Sequence, residues 1–327
     1  MLSIAVIGAG RIGRIHAPNV AAHPDARLIG VADVDAAAAT QLAETCGARA
    51  LSLDEAFGAD AVVIGSPTPT HADYIERAAA AGRAIFCEKP IDLDAARVRT
   101  CLEAVRRAGV PLMVGFNRRF DPHFASLRRR MDAGEIGKLE LLTIFSKDPG
   151  PPPISYIETS GGLFRDCMIH DLDMARFLLG EEPVELHASA SCLVDAAIGG
   201  AGDVDTAVAT LRTASGKLCQ ISNSRRATYG YDQRIEAHGE KGLLRAGNVT
   251  ATTVEYASSS GFSTDPALPF FLERYAQAYR LELNTFITAV TSGRAPSPSG
   301  EDGLKALLLA DAATRSAQSG VVVKGPF

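Results

Sequence analysis

The chain opens "MLSIAVIGAGRIGRIH", with Gly8, Gly10 and Gly13 in the spacing G-x-G-x-x-G directly after an apolar run and at the start of a helical pattern. Few local patterns restrict a fold as strongly. In that setting Gly8 permits a tight turn, Gly10 lets the backbone approach a pyrophosphate, and Gly13 allows a helix to pack closely on a strand. The helix start, reached through Arg11 and Ile12, offers N–H groups without intrahelical partners to phosphate oxygens. Asp33 closes the second apolar run, "LIGVAD", about 20 residues after Gly13, where a carboxylate can hydrogen-bond adenosine ribose hydroxyls. The same carboxylate, with Asp35 beside it, would repel a 2′-phosphate, so NAD is expected over NADP; Arg11 and Arg14 pull the other way. The alternative is that the glycines serve turn geometry alone.

The chain beyond the glycine loop supports a dinucleotide fold. Short Val- and Ile-rich runs near 3–7, 27–33, 60–65, 84–87 and 111–115 alternate with helical patterns near 12–22, 35–46, 70–81 and 94–108, the rhythm of successive βαβ units. Such crossovers cover a parallel sheet on both faces. After residue 120 the rhythm changes. A helix is expected near 122–132, a strand near 138–146, a stiff proline loop "DPGPPPISY", a helix over 161–180, and then β-rich runs from 184 to about 257 separated by "GGAGD", "ASGK" and "GEKG". Two long helical patterns, near 270–291 and 301–318, close the chain. With 327 residues one hydrophobic core is rarely enough. The expected fold is α/β: an N-terminal Rossmann domain with a doubly wound parallel sheet over 1–120, and a C-terminal α+β domain with a large, mainly antiparallel sheet over 121–327.

Composition excludes several classes of partner. Formal net charge is −5 and the only basic run is "RRR" at 128–130, so a polyanion such as nucleic acid gains no electrostatic support. No apolar run approaches the roughly 20 residues a membrane helix needs. The six cysteines form no C-x-x-C pair, and His, Cys, Asp and Glu show no zinc-site spacing, so no metal is expected. Scattered cysteines of this kind and a strand-forming N-terminus without a signal-like segment fit a reducing, cytoplasmic setting.

Two stretches carry candidate chemistry. "AIFCEKPI" ends a buried-looking strand on Glu88 and Lys89, and ligands of open α/β sheets bind beyond the carboxyl ends of the strands. Lys89 is either a substrate contact or a surface lysine at a strand exit. "GGLFRDCMIHDLDMARFLLG" over 161–180 sets Asp166 and His170 four residues apart among apolar positions, so on a helix they share a face. They are either an acid–base pair or a helix-start aspartate and a satisfied core histidine. A histidine, with a reference pKa of about 6.5, suits a base that removes an alcohol proton near neutral pH. Asp166 would orient the imidazole, and Lys89 would stabilise charge on the substrate oxygen. His16 either touches the cofactor or packs on the sheet. Of Arg118 and Arg119, one would bind hydroxyls and the other pair with an acid such as Asp121. Tyr231 competes with Tyr229, since residues two apart on a strand share a face.

"EKP" after the fifth strand, "GFNRRFD" at 115–121 and the 161–180 segment together resemble the Gfo/Idh/MocA family of NAD(P)-dependent sugar and polyol oxidoreductases, over nearly the whole chain. The resemblance implies a catalytic trio of Lys89, Asp166 and His170, with Lys89 before a cis proline. It implies substrate contacts from Asn117, Arg118, Asp148, Cys167 and Tyr229, and cofactor contacts from Ser66, Thr68, His71 and Glu88. It also implies NAD as cofactor, a small polyol as substrate and a homotetramer. Some inositol dehydrogenases of the family carry His and Asn where "FSKD" puts Ser146 and Asp148, which leaves open which inositol isomer or pyranose is oxidised. A nucleotide-bound sensor that has lost turnover is the rival of another class.

Overall fold

In the computed structural model, which describes residues 1–327, six strands form a wholly parallel sheet. They are β1 (Leu2–Ile7), β2 (Ala26–Ala32), β3 (Arg49–Leu51), β4 (Ala61–Ile64), β5 (Ala84–Glu88) and β6 (Leu112–Gly115), in the order β3-β2-β1-β4-β5-β6. Every residue of β4 and β5 is buried, as helices on both faces require, and this is why these runs read as continuously apolar. The strand order reverses between β1 and β4, the place where such sheets form a crevice at their carboxyl ends. β3 is an edge strand of three residues, too short to register as a periodic pattern.

This sheet belongs to a compact unit of Met1–Phe120 together with Ala278–Leu307. A division at 120 differs from it over 278–307. The reason lies in the helix Ala276–Thr291: its Leu283, Phe286 and Ile287, at three- and four-residue spacing, join Val6, Val63 and Phe86 in one buried cluster. Periodicity shows that a helix has an apolar stripe but not which core receives it.

The second unit, Asp121–Gln277 with Leu308–Phe327, holds a seven-stranded sheet. Its strands are β7 (Leu139–Lys147), β8 (Pro183–Ser191), β9 (Thr206–Thr213), β10 (Leu218–Ser224), β11 (Asp232–Gly239) and β12 (Gly242–Ala246), joined later by β15 (Val323–Lys324). The order is β12-β11-β7-β10-β9-β8-β15, antiparallel apart from the β7–β10 pair. β9 buries alternate residues, Ala207, Ala209, Leu211 and Thr213, so one face of the sheet is core and the other is not. A separate exposed hairpin, β13 (Glu255–Ser258) with β14 (Gly261–Thr264), was not foreseen in the β-rich region.

Two departures from the sequence reading concern the segment before and within 161–180. The proline stretch leads into a helix, Ile154–Ser160, rather than remaining a loop. The expected single helix is instead a π-helical turn, Phe164–Met168, continued by an α-helix, Ile169–Leu179. Gly161 and Gly162 both have φ in the left-handed region, 84° and 83°, and break the chain between the two helices. Gly162 is also a close approach: a Cβ there would sit 2.7 Å from Asp203 Oδ1, the atom that accepts the N–H of Leu163 at 3.0 Å. The helix Ile169–Leu179 lies on β7 and β10.

Candidate active site

In the first unit the glycine loop is built as its spacing demands, and its three glycines differ in what a side chain would meet. Gly8 has φ 111°, and a Cβ there would lie 2.6 Å from the carbonyl of Gly65. A Cβ on Gly13 would lie 1.8 Å from the Gly8 oxygen. A Cβ on Gly10 would meet nothing within 4 Å, so no protein atom calls for glycine there. A side chain at Gly10 could obstruct only a group from outside the chain. No side chain caps the helix Gly13–Ala21 and no acid stands in its first turn; the N–H groups of Arg14 and Ile15 go to Gly10 O and Ile12 O, so those left for an anion belong to the loop just before them. Asp33 Oδ2 accepts from Ala9 N at 2.6 Å and Oδ1 from Asp35 N at 2.8 Å. A carboxylate has about four acceptor positions, so this leaves acceptor capacity for ribose hydroxyls. A dinucleotide fits these residues.

The other candidates of this unit cluster at the strand exits. Ser66 Oγ and Thr70 Oγ1 are 2.7 Å apart across the short turn that Thr68 begins. The ring of His71 bridges two carbonyls, with Nε2 2.7 Å from Ser66 O and Nδ1 2.7 Å from Pro90 O. Burial lowers its affinity for a proton, against the pull of the two carbonyls and Glu88. Lys89 follows the last residue of β5, and the Lys89–Pro90 peptide is cis. Glu88 turns its carboxyl to His16, 2.7 Å from Nε2. Asn117 and Arg118, both buried, stand in the turn Asn117–Phe120 after β6. Arg119 pairs with Asp302 at 3.1 Å, not with Asp121, which is taken by the buried Arg274 of the second unit.

In the second unit the structure brings Asp148, Asp166 and Cys167 together. Cys167 Sγ lies 3.7 Å from Asp148 Oδ2 and 3.8 Å from Asp166 Oδ2. Asp166 and Cys167 sit on the π-helical turn, and His170, half-buried, is the second residue of the α-helix that continues it. π-Turns recur at functional sites because their wider winding re-aims side chains. The two further acids on this helix also have partners: Asn223 Nδ2 donates to Asp171 Oδ2 at 2.8 Å, and Asp173 faces Arg176 at 3.7 Å.

Two residues that contact Asp166 escaped the sequence reading. Tyr156 donates its hydroxyl to Asp166 Oδ1 at 2.9 Å. Burial, and then the Asp166 charge, push the phenol well above its ordinary pKa, so it stays a donor. Arg225, 1% exposed, places Nη1 3.5 Å from Asp166 Oδ2 and Nη2 3.4 Å from Asp203 Oδ2. Burial opposes its charge, but Cys167, Asp166, Asp203 and Asp148 together raise its pKa. One signal was present. Cys219, Ile221 and Asn223 are the buried alternates of β10, and Arg225 is the next residue in that period-two series. An arginine continuing a buried alternation marks a buried charge.

Tyr229 is 52% exposed and donates to Asp232 Oδ2 at 2.7 Å. Its rival Tyr231 packs edge-on against Phe270 and Tyr275. Ser146 is buried on Gln233, with Gln233 Nε2 to Ser146 Oγ at 3.0 Å. His, Cys, Asp and Glu show no zinc-site spacing in the sequence, but the fold brings His16, Glu88 and Glu282 together, with ligand-type atoms within 4.8 Å of one another. Positions so far apart in the chain leave no spacing motif.

The comparisons with known proteins agree with this architecture. Residues 2–116 match the model of an oxidoreductase family with an NAD-binding Rossmann fold, and residues 124–245 match the GFO/IDH/MocA C-terminal domain. An inositol 2-dehydrogenase of Rhizobium meliloti is 56% identical over 95% of both chains. The chain belongs to the Gfo/Idh/MocA oxidoreductase family. Another relative within the family, a myo-inositol 2-dehydrogenase of Thermotoga maritima, is 48% identical over 99% of this chain and 98% of its own. Among solved structures, a myo-inositol dehydrogenase of Corynebacterium glutamicum superposes with a TM-score of 0.96 at 48% identity, covering 100% of both chains. A scyllo-inositol dehydrogenase of Lactobacillus casei with bound NAD(H) and scyllo-inositol superposes at 0.91 with 29% identity, covering 99% of this chain and 99% of its own.

Proposed function

We propose that the protein is a myo-inositol 2-dehydrogenase, which oxidises the secondary 2-hydroxyl of myo-inositol to the ketone with NAD. The observation that carries the substrate is the pair of relatives at 56% and 48% identity, both of them inositol 2-dehydrogenases by name and matched over at least 95% of this chain. NAD, when bound, supplies the acceptor for the hydride that leaves the carbinol carbon. The remaining work falls to side chains. His170 takes the hydroxyl proton on a ring nitrogen. Asp166, held by Tyr156 and Arg225, keeps the imidazole oriented and stabilises its cation. The Lys89 ammonium stabilises negative charge on the reacting oxygen. Asn117, Arg118, Asp148, Cys167 and Tyr229 bind the other hydroxyls.

On the cofactor side, Gly8, Gly10, Arg11 and Ile12 cradle the pyrophosphate, Asp33 binds the adenosine ribose, and Ser66, Thr68, His71, Glu88 and Lys89 border the nicotinamide half. The working form is a cytoplasmic homotetramer. All six cysteines are free thiols and no helix is long and apolar enough to cross a membrane. The uncovered face of the seven-stranded sheet supports self-association: Leu218, Leu141, His238 and Leu243 stand in register across β10, β7, β11 and β12, and all four are exposed.

The test is NADH formation by the purified protein over myo-inositol, scyllo-inositol, D-chiro-inositol and glucose, with NAD and with NADP. The highest kcat/KM is expected for myo-inositol with NAD. Preference for another polyol, or for NADP, overturns the substrate or cofactor assignment; absence of turnover with every polyol leaves the sensor reading.

A further inference from the structure

The most deeply buried acid of the first unit takes no part in this mechanism. Glu282, on the helix Ala276–Thr291, is 0% exposed, and neither of its carboxyl oxygens has a hydrogen-bond partner. It faces the pair formed by His16 Nε2 and Glu88 Oε1, 2.7 Å apart, with polar atoms of all three residues within 4.8 Å of one another. The surroundings are apolar. The rings of Phe86 and Tyr279 stand edge-on to His16 at 5.0 Å and 5.8 Å, and Phe286 packs on Phe86. On β6, Gly115 lies so close that a Cβ would come within 3.0 Å of the Glu88 carboxyl. The charged or titratable groups facing the cluster are few: Tyr279 on Glu282's own helix, and His71 and Lys89 beyond Glu88.

Two ionised carboxylates this close, in a dry apolar setting, repel each other and forfeit their hydration, so such a group neutralises instead. A divalent cation is the other way to compensate them. Metal-bound imidazoles pass their second N–H to an acceptor, whereas His16 Nδ1 is buried with no partner, and His16 and Glu282 are both sealed from solvent. A proton needs neither the second partner nor the room.

We propose that His16, Glu88 and Glu282 form a buried proton-holding triad, with Glu282 kept as the neutral acid beside a Glu88 carboxylate paired to His16, and that this triad positions the end of β5 that carries Lys89. The assignment of a role to Lys89 rests on the function proposed above; the protonation of Glu282 does not. Burial, and then the Glu88 charge, hold the Glu282 carboxyl well above the usual carboxylate range. A group that binds its proton more tightly folded than unfolded adds stability that is full below the ordinary carboxylate pKa and is lost as pH rises through the folded value. Glutamine at this position has no proton to lose.

The test compares wild type with Glu282→Gln and Glu282→Ala. An infrared difference spectrum between wild type and Glu282→Gln at neutral pH should show the carbonyl band of a protonated carboxylic acid in wild type alone. The Tm of Glu282→Gln should gain on wild type as pH rises from 5 to 9. Absence of the band with a pH-independent Tm difference overturns the triad, as does a Tm rise with added zinc chloride in wild type that Glu282→Gln lacks. For the positioning role, Glu282→Ala should lower kcat by about tenfold, since small displacements of a reacting group are costly, with the KM for NAD unchanged and Glu282→Gln restoring the loss. Full kcat in Glu282→Ala removes the positioning role, and a wild type without turnover removes the Lys89 assignment instead.

Discussion

Replacing Tyr156 with phenylalanine removes one oxygen and leaves the ring, so it isolates the contact between the phenol and Asp166 Oδ1 at 2.9 Å. A hydrogen bond to a charged acceptor contributes roughly 1.5–3 kcal/mol. Tyr156 is 47% exposed, so water can replace part of what is lost, and the lower end applies, about 1.5 kcal/mol. If Asp166 acts by holding His170 in orientation, that amount appears in the transition state and lowers kcat by about tenfold. Asp166 keeps Arg225 at 3.5 Å, so the effect stops short of losing the carboxylate. The phenol's raised pKa keeps it a donor well into the alkaline range, and the ratio of wild-type to variant kcat should therefore stay flat between pH 7 and 9. The assay is steady-state NADH formation with myo-inositol, alongside thermal unfolding. The expected result is a tenfold loss in kcat with the KM for NAD unchanged and a Tm within a few degrees of wild type. A variant with wild-type kcat would show that Asp166 needs no help from Tyr156, and the reasoning that assigns it an orienting role through that contact fails.

Arg225→Met leaves the partly buried Asp166 and Asp203 beside a neutral chain; breaking a fully buried pair from one side costs about 3–5 kcal/mol, and because water still reaches both carboxylates the loss in chemical denaturation should fall at or below the lower end of that range, whereas unchanged stability would mean the guanidinium is not compensating them. Gly10→Ala should fold with an unchanged Tm, because its methyl group meets nothing within 4 Å, yet raise the KM for NAD by about tenfold or more through contact with the pyrophosphate; Gly13→Ala should instead disturb folding, its Cβ falling on the Gly8 carbonyl. Equal effects of the two on Tm would refute the distinction. Asp205 accepts N–H bonds from Leu193, Val194 and Asp195 at 2.7–3.1 Å; burial pushes its pKa up, but these donors pull it down to about 2. Its contribution of about 2 kcal/mol is present above the ordinary carboxylate pKa and lost as pH falls through about 2. The stability gap between wild type and Asp205→Asn should therefore close on acidification from pH 4 to 2, and a gap that persists at pH 2 would place the effect elsewhere.

How much of this was legible depended on whether a feature repeats along the chain. The parallel sheet was legible because β4 and β5 are buried on both faces and read as unbroken apolar runs, and the glycine loop because its three glycines fall within one turn. β3 was not, since three residues carry no period. The π-helical turn was not either: Phe164–Met168 looks like the start of an amphipathic helix, and the altered winding comes with two left-handed glycines and the Asp203 contact at Leu163, 40 residues distant. The same limit governs the site. Asp166 and His170 could be singled out as candidates by their local spacing, while Arg225 and Tyr156 became visible only once β10 and the helix Ile154–Ser160 brought them to Asp166. Arg225 was still recoverable in principle, because a guanidinium continuing a buried period-two series contradicts its own hydration. Glu282 was not: on a helix whose apolar members already explain its burial, an acid reads as the solvated side, and only the fold brings it to His16 and Glu88, the convergence on which the proposal of a retained proton is built.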